Sequence, residues 1–291
     1  MAMASLLKEL WRFWLRNYDQ KTIDSFGHEW HSFDQSEVSN SEISKIFSEY
    51  FSIFPFELIN QNSEGFDMGC GSGRWAKSFA PLVRKLHCID PSGAIEVARK
   101  ALKSHGNVQF HESDVDTCNL KLGSQDFGYS LGVLHHIPDT AKAIKQCASF
   151  LKAGAPLLLY LYYAFDNRPL WYRVVWRISD ALRMVINRLP HQIKNFVTDV
   201  LAAIIYLPLS KFSLILSKFG ISTRNIPLSY YKDHSFYTMR TDSRDRFGTP
   251  LERRFSRNQI VKMLIDADLT NITFSKSAPY WCVVGYKGKS L

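Results

Sequence analysis

Short apolar segments alternate with longer amphipathic segments through the middle of the chain. The apolar segments centre on Gly65–Met68, Leu86–Ile89, Val108–His111, Phe127–Leu131 and Ala155–Tyr162. The intervening segments, Gly73–Leu82, Gly93–Ser104 and Thr140–Leu151, are long enough for helices. Because strands that alternate with helices pair in parallel, residues 61–163 are predicted to form βα units on one parallel sheet.

Residues 164–254 interrupt this alternation with helical patterns. A helix is predicted from Leu170 to Leu189, with Pro190 ending it. Its apolar face comprises Trp171, Val174, Val175, Ile178, Leu182, Val185, Ile186 and Leu189, and its polar face Arg173, Arg177, Asp180, Asn187 and Arg188. A second apolar run, from Phe196 to Leu216, is broken by Pro208, Ser210 and Lys211. It is too short and too interrupted for a membrane span, which needs about 20 mostly apolar residues. We therefore do not predict a transmembrane helix here.

The two ends of the chain carry further patterns. Residues 1–60 are rich in aromatic side chains at helical spacing, including the segment Ser25–Phe33. Near the other end, Phe255–Ala267 is predicted to be an amphipathic helix with Ser256 as its N-cap. Ile272–Ser275 and Trp281–Tyr286 alternate like two antiparallel strands.

Composition is that of a globular protein, and the charge is unevenly distributed. The 291 residues are 46% hydrophobic and 22% charged, with a net charge of +9. From Phe165 to Arg257 there are 16 Lys and Arg against 7 Asp and Glu, a difference of +9, so the rest of the chain sums to zero. This basic segment is therefore expected to meet an acidic partner or a membrane surface.

The five cysteines are scattered, without metal-ligand spacing, and no metal site is predicted. They indicate free thiols in a reducing compartment. The N-terminus lacks the long apolar core of a secretion signal, so a cytoplasmic location is expected.

Residues 66–73, Phe-Asp-Met-Gly-Cys-Gly-Ser-Gly, carry the clearest chemical signal. Asp67 precedes three glycines at every second position, Gly69, Gly71 and Gly73. Glycine lets a ligand approach the backbone and tolerates the positive φ angles of a tight turn. Asp90 ends the next apolar strand, and the spacing departs from the G-x-G-x-x-G turn of dinucleotide-binding folds.

Together with Asp114-Val115 and the loop Gly132-Val133-Leu134-His135-His136-Ile137-Pro138-Asp139, these motifs resemble class I S-adenosylmethionine (SAM)-dependent methyltransferases, and in particular their type 11 small-molecule group. The resemblance covers residues 60–163 well and 255–287 more loosely. It implies a Rossmann-like α/β fold: a mostly parallel seven-stranded sheet with helices on both faces and a helical insertion between strands 5 and 6. The domains implied are a helical lid (1–60), a SAM-binding core (61–163 and 255–291) and an acceptor-binding cap (164–254).

The resemblance also implies roles in holding SAM. The glycine loop would bring backbone N–H groups towards the methionine portion, and Asp67 would contact its ammonium. Asp90 would accept hydrogen bonds from the ribose hydroxyls, and Asp114 would accept one from the adenine amino group. The Val115 N–H would donate a hydrogen bond to the adenine ring. Leu131 would lie beside the sulfonium. Pro91 stands where many relatives have a bulky apolar residue, so it would cover less of the adenine.

His135 and His136 open the loop above the fourth strand, near the expected methyl group. Methyl transfer needs a base only when the nucleophile carries a proton, and histidine suits that task near neutral pH. We interpret the pair as candidate catalytic residues; the alternative is that they cap a helix or bond the backbone.

The insertion is expected to bind the acceptor. Its polar aromatic residues Tyr163, Tyr230, Tyr231, His234, Tyr237 and Arg240 are the candidate substrate contacts, and arginine could bind a carboxylate or phosphate. A solvated basic surface is the alternative for this set.

The leading hypothesis is therefore methyl transfer to oxygen or nitrogen of a small-molecule acceptor of glycan, lipid-linked or natural-product type, with peripheral membrane contact through the insertion. An RNA or protein methyltransferase is the alternative, although the absence of an Asn-Pro-Pro-Tyr-like motif argues against nucleic acid. A scaffold that retains SAM binding without catalysis is a third hypothesis. No pattern indicates an oligomeric state.

Overall fold

A computed structural model describes residues 17–33, 35 and 37–288 of the chain. Its centre is a seven-stranded sheet in the order β3-β2-β1-β4-β5-β7-β6. The strands are β1 (Glu64–Met68), β2 (Lys85–Ile89), β3 (Val108–His111), β4 (Phe127–Leu131), β5 (Pro156–Tyr160), β6 (Leu269–Phe274) and β7 (Cys282–Lys287). The first five are parallel, and β7 runs antiparallel to both neighbours. The predicted fold class is confirmed.

Helices cover both faces of this sheet. In chain order they begin with α1 (Gln20–Ser32), α2 (Asn40–Tyr50), α3 (Arg74–Phe79), α4 (Ala94–Ala101) and α5 (Thr140–Phe150). Leu157 and Leu159 of β5 pack into one apolar cluster, and Leu158 between them packs into the other. Because a parallel strand is buried on both faces, nearly every position of β5 has to be apolar.

Between β5 and β6 the chain forms mainly helices. They are α6 (Leu170–Ile186), α7 (His191–Leu201), α8 (Leu207–Lys218), α9 (Phe236–Gly248) and α10 (Arg257–Asp266), with a 3₁₀ turn at Ser229–Asp233. α9 lies against α6, α7 and α1. Ser256 caps α10, as predicted, in a reciprocal pair of bonds with Gln259.

Two predictions about these helices are corrected. The helix predicted to reach Leu189 ends at Ile186, and Pro190 instead precedes the first turn of α7, where its missing N–H costs nothing. The second apolar run is not broken at Pro208. A π-helical turn at Ala202–Tyr206 joins α7 to α8, and Pro208 falls in the first turn of α8.

The aromatic residues Trp11, Phe13 and Trp14 of the predicted N-terminal segment lie outside the described residues. Within them, α1 begins at an Asp19 cap that accepts the Thr22 N–H. α1 lies beside α4 and α9 and so connects the sheet domain with the helices that follow β5.

Candidate active site

A cleft opens at the carboxyl ends of β1, β2 and β4, with an empty volume of about 950 Å³ when the space open to solvent is included. This edge is where open α/β sheets bind ligands, because successive strand-to-helix turns diverge there. Its walls are the glycine loop, the ends of the strands and one face of α1; they include Asn17, Thr22, Phe26, Trp30, Gly69, Gly71, Arg74, Asp90, Pro91, Asp114, Val115, Leu131, Val133 and His136.

The glycine loop leaves no room for side chains. Gly69 has φ 80°, and a Cβ added there would overlap the Val133 side chain. Gly71 has φ 52°, and its added Cβ would lie 3.0 Å from the Trp30 ring. The Trp30 side chain of α1 therefore packs directly on the loop backbone.

Asp90 is buried at the end of β2 and is held by three hydrogen bonds. Its Oδ2 accepts the Gly71 N–H at 2.9 Å, and its Oδ1 accepts the Ser92 N–H at 2.9 Å and the Ser92 hydroxyl at 2.6 Å. Burial raises the pKa of this carboxyl, and the bonds from Ser92 and Gly71 oppose the rise. A carboxylate can accept about four hydrogen bonds, and three are in use, so one acceptor position remains for a ligand. A second ligand hydrogen bond would require the Ser92 hydroxyl to turn away.

Asp114 and Val115 line the cleft after β3. Asp114 Oδ1 accepts the N–H groups of Asp116 and Thr117, both at 2.8 Å. These bonds fix the orientation of the carboxylate and leave Oδ2 for a ligand.

Two predicted cofactor residues lie behind the cleft wall rather than in it. Asp67 is fully buried, and burial raises its pKa well above the usual value, with Tyr129 opposing and Asp90 reinforcing the rise. Gly73, with φ 78°, packs its Cα against Leu102. The structure thus brings Gly69, Gly71, Asp90, Pro91, Asp114, Val115 and Leu131 together at the cleft and places Asp67 and Gly73 beneath it.

The two adjacent histidines occupy different environments. His136 lines the cleft, and its Nδ1 lies 2.7 Å from the Leu251 carbonyl oxygen, so Nδ1 carries the proton and donates it. Its Nε2 is thereby left as the acceptor, 3.8 Å from Asp245 Oδ1. Asp245 is held in turn by the hydroxyls of Tyr162 and Thr249.

His135 is fully buried and does not reach the cleft. Its ring stacks on Tyr162 with centroids 3.8 Å apart. Burial lowers the pKa of His135 well below its usual value, reinforced by the neighbouring His136 and Arg254. Of the two candidate bases, only His136 lines the cleft, and its Nε2 is buried and bonds none of the described residues.

A second group of polar aromatic residues lies beyond the β5 end of the cleft. We call it the tyrosine chamber: Tyr50, Tyr160, Tyr230, Tyr231 and Asp242. The Tyr50 ring lies 4.9 Å from the cleft residue Trp75 and 5.0 Å from Tyr160. Tyr50, Tyr160, Tyr231 and Asp242 are each half-buried. Burial raises the pKa of Asp242 to about 6, partly offset by a hydrogen bond from Tyr231.

The structure divides the six predicted substrate residues. Tyr230 and Tyr231 belong to the tyrosine chamber, and His234 packs on Tyr230 at 4.5 Å. The other three have structural contacts elsewhere. Arg240 forms a two-bond ion pair with Asp199 (2.9 and 2.7 Å), which uses its Nε and Nη2.

The remaining two of these residues also lie away from the cleft. The Tyr237 hydroxyl accepts the Gln35 N–H at 3.1 Å, and its ring packs on Phe33. The Tyr163 ring packs edge-on against Phe165 at 4.5 Å, and its hydroxyl accepts a hydrogen bond from Arg168. Both tyrosines hold elements together rather than facing the cleft.

Arg74 is a cleft residue that the sequence reasoning missed. Its guanidinium carbon lies 4.2 Å from the Trp75 ring centroid. Its buried Nε bonds none of the described residues. The signal was present: an arginine directly after the third glycine opens α3, so its side chain starts at the loop. A buried cation with an unused donor fits a ligand carboxylate.

Comparison with known proteins agrees with this geometry. Residues 66–159 match the family model described as a methyltransferase domain. The chain is 26% identical over 187 residues to a ubiquinone biosynthesis O-methyltransferase of Xanthomonas axonopodis pv. citri, covering 62% of this chain and 76% of that protein. A protein of the same name from Pectobacterium carotovorum is 27% identical over 162 residues, covering 48% and 61%.

Among solved structures, an O-methyltransferase family protein from Burkholderia thailandensis superposes with a TM-score of 0.53 at 16% identity, covering 90% of this chain and 60% of that one. That likeness establishes the fold. A Rossmann-like sheet with a glycine loop and acidic residues at its carboxyl edge defines the class I methyltransferases. The chain is a SAM-dependent methyltransferase of this class, and SAM is its cofactor.

Proposed function

We propose that the protein is an O-methyltransferase that acts on a hydroxyl group of a small-molecule acceptor, with His136 as the base. The observation that supports this most directly is the hydrogen bond that fixes the orientation of the His136 ring. Its Nδ1–H donates to the Leu251 carbonyl, so the buried Nε2, which bonds none of the described residues, keeps its lone pair for a proton, with Asp245 Oδ1 3.8 Å away. A nucleophile without a proton would need no such group.

The residues present fit SAM, which when bound supplies a methyl group on a positively charged sulfur. Asp90 would accept from the ribose through its free position on Oδ2, and Asp114 Oδ2 would accept from the adenine amino group. The buried Arg74 Nε would donate to the methionine carboxylate. Asp67, beneath the loop, would act on the ammonium only through an intervening group.

The chain's own contribution to the reaction is alignment and proton removal. Val133 and Leu131 form the wall beside His136, and Phe26 of α1 packs edge-on against the His136 ring at 5.0 Å. With α1 in place the cleft is partly closed to water, so an acceptor hydroxyl would meet His136 in a fixed geometry. Asp245 would stabilise the positive imidazolium formed when Nε2 takes the proton.

The tyrosine chamber is the acceptor site in this proposal. It adjoins the cleft through Trp75 and Tyr160, the latter paired with Leu131 across β4 and β5. Four phenol groups and Asp242 suit an acceptor with several hydroxyl or carbonyl groups on an apolar framework. The two relatives are both named as O-methyltransferases, which supports oxygen as the methylated atom.

A direct test is to incubate the protein with radiolabelled SAM and host extracts and to separate lipid, RNA, protein and small-molecule pools. The proposal expects label in a methyl ether of a small or lipid-linked molecule, dependent on His136. Label in RNA or protein would support the alternative class of acceptor and overturn this one.

Asp90→Ala is expected to weaken SAM binding by about 1.5–3 kcal/mol, because a charge-assisted acceptor is removed from a buried site. Titration calorimetry with SAM measures this. Glu96→Gln, on the exposed side of α4, is the matched control and should leave the affinity unchanged. Since Asp90 also holds Gly71 and Ser92, thermal unfolding of each variant separates lost binding from lost structure. Unchanged affinity in a folded Asp90→Ala protein would remove Asp90 from the cofactor site.

A further inference from the structure

The helix α6 has its apolar face turned outward. Six apolar side chains at helical spacing, Trp171, Val174, Val175, Ile178, Leu182 and Val185, are between 46% and 63% exposed. The opposite face carries Arg183, which is buried and donates to the carbonyls of Thr249 and Pro250, both at 3.0 Å. A helix on the surface of a water-soluble domain has the reverse arrangement.

The continuous helical run of α7, the π turn and α8 repeats this inversion. Ile193, Phe196, Ile204, Phe212, Ile215 and Phe219 are between 51% and 77% exposed. The buried side of the same run contains Lys194, Thr198, Ser210 and Ser213. Exposed apolar surface repeated over three helices is far more than the isolated apolar residues that soluble surfaces carry.

The charges exposed on these three helices are all positive. Arg177, Lys211 and Lys218 are exposed on the helices, and Arg188 is exposed in the turn between α6 and α7. The two acidic residues of the helices are used elsewhere: Asp180 pairs with Arg183 and Arg246, and Asp199 with Arg240. Apolar side chains interspersed with cations are complementary to a surface that is negative outside and apolar beneath.

The way α7 and α8 are attached decides how they can meet a bilayer. Among the described residues, one helical run, His191–Lys218, is long and apolar enough to cross a membrane by length and composition. Yet a stripe of buried residues runs along its whole length, from Lys194 through Ala202 and Tyr206 to Ser213. Lys194 also donates to the Gly248 carbonyl at 3.3 Å. If this helical run crossed a bilayer, its buried polar side chains would lose their contacts with α9. If the run lies flat on the bilayer surface, those contacts remain.

We propose that the outward faces of α6, α7 and α8 dock flat on an anionic phospholipid surface, holding the enzyme at the membrane as a peripheral protein. The apolar side chains enter the boundary between headgroups and acyl chains, and the four cations contact lipid phosphates. A second copy of the chain fits less well, because a two-fold contact through this face would bring the same cations towards each other.

Vesicle flotation tests the proposal with the full-length protein. It should float with phosphatidylcholine vesicles that contain phosphatidylglycerol, bind pure phosphatidylcholine more weakly, and dissociate as salt rises. The triple variant Ile178→Glu/Phe196→Glu/Phe212→Glu should lose at least about tenfold in vesicle affinity, because three apolar side chains that would enter the bilayer are replaced by charged ones. The control Leu122→Glu/Ile265→Glu changes residues that are 65% and 60% exposed outside these helices, and should bind normally.

A series of charge-neutralising variants measures the electrostatic contribution to vesicle binding. Replacing Arg177, Arg188, Lys211 and Lys218 by Gln, singly and together, should reduce affinity for anionic vesicles by about fivefold per cation, which corresponds to about 1 kcal/mol each. The preference for phosphatidylglycerol should disappear in the quadruple variant. Binding that is unchanged by the triple or the quadruple variant contradicts the proposal.

A fluorophore attached to a single introduced cysteine can show which face of the protein meets the membrane. The five native cysteines are all buried and should not react with it. An environment-sensitive fluorophore on Ile204→Cys should brighten and shift to the blue with anionic vesicles, and the same label on Leu122→Cys should not. Resistance of the bound protein to both high salt and alkaline carbonate would indicate a spanning helix and overturn flat docking. If sedimentation instead shows a dimer that the triple variant dissociates, without vesicle binding by the native protein, the face is a self-association surface and the membrane proposal fails.

Discussion

Replacement of His136 by asparagine is expected to slow methyl transfer by a factor of roughly 10²–10⁴ while leaving SAM affinity unchanged. The asparagine amide can occupy the place of Nδ1 and keep the donation to Leu251. It has no basic nitrogen in the place of Nε2. The variant thus removes the proton acceptor and preserves the bond that fixes the loop. Single-turnover rates with the acceptor, and calorimetry with SAM, measure the two quantities separately.

A structural role for His136 predicts different behaviour. Loss of packing would lower thermal stability and weaken SAM binding together, at every pH. Loss of a base predicts that the activity of His136→Asn rises with pH, since an acceptor hydroxyl that ionises unaided no longer needs the histidine. His105→Asn, beyond α4 and away from the cleft, is the control. A rate for His136→Asn within a few-fold of the native rate would show that the nucleophile needs no base from this residue.

The sheet domain was predictable because its determinants are local. Each inner parallel strand is buried on both faces, so its sequence is mostly apolar, and both the buried β4 and the half-exposed edge strand β3 have the predicted limits. The acidic residues that follow strands and the glycines of the loop then fall at one edge of the sheet by topology alone. Seven of the nine predicted cofactor residues accordingly lie in the cleft wall.

The helices after β5 could not be placed in the same way. Helical spacing shows that Trp171 and Ile178 share a face, but not whether that face meets water or protein. The orientation of α6 depends on the carbonyls of Thr249 and Pro250, which accept from Arg183 across 66 and 67 residues. Arg240 illustrates the same limit: a basic side chain in an aromatic loop suggests a substrate contact until its partner Asp199, 41 residues away, is known.

Asp242→Asn is expected to stabilise the protein at neutral pH. The Asp242 carboxyl has a pKa raised from 3.8 to about 6 by burial, so the folded state holds its proton more tightly than the unfolded state. Between about pH 4 and pH 6 the folded protein binds a proton that the unfolded chain has lost, and stability therefore falls as pH rises through this window. Above pH 6 the native protein carries the penalty of a buried negative charge, at most about 3 kcal/mol, because the half-buried carboxylate is partly screened by solvent.

The asparagine variant lacks that penalty. Its advantage over the native protein should be small near pH 4, grow through pH 6 and stay constant above pH 7, appearing there as a rise of several degrees in Tm. Urea unfolding at a series of pH values measures the difference. Asp266→Asn, an exposed residue paired with Lys262, is the control and should show no such growth. An Asp242→Asn protein that is no more stable than the native one at pH 7.5 would contradict the buried-charge account.

A destabilising carboxylate that is kept in the tyrosine chamber calls for a reason outside folding. If the chamber binds the acceptor, Asp242 is there to accept a hydrogen bond from it, and Asp242→Asn should raise KM for the acceptor more than it lowers kcat, with SAM affinity unchanged. Gain of stability together with loss of acceptor binding would tie the chamber to the substrate, because burial alone predicts only the first effect. Full activity in the stabilised variant would place the acceptor elsewhere along the cleft.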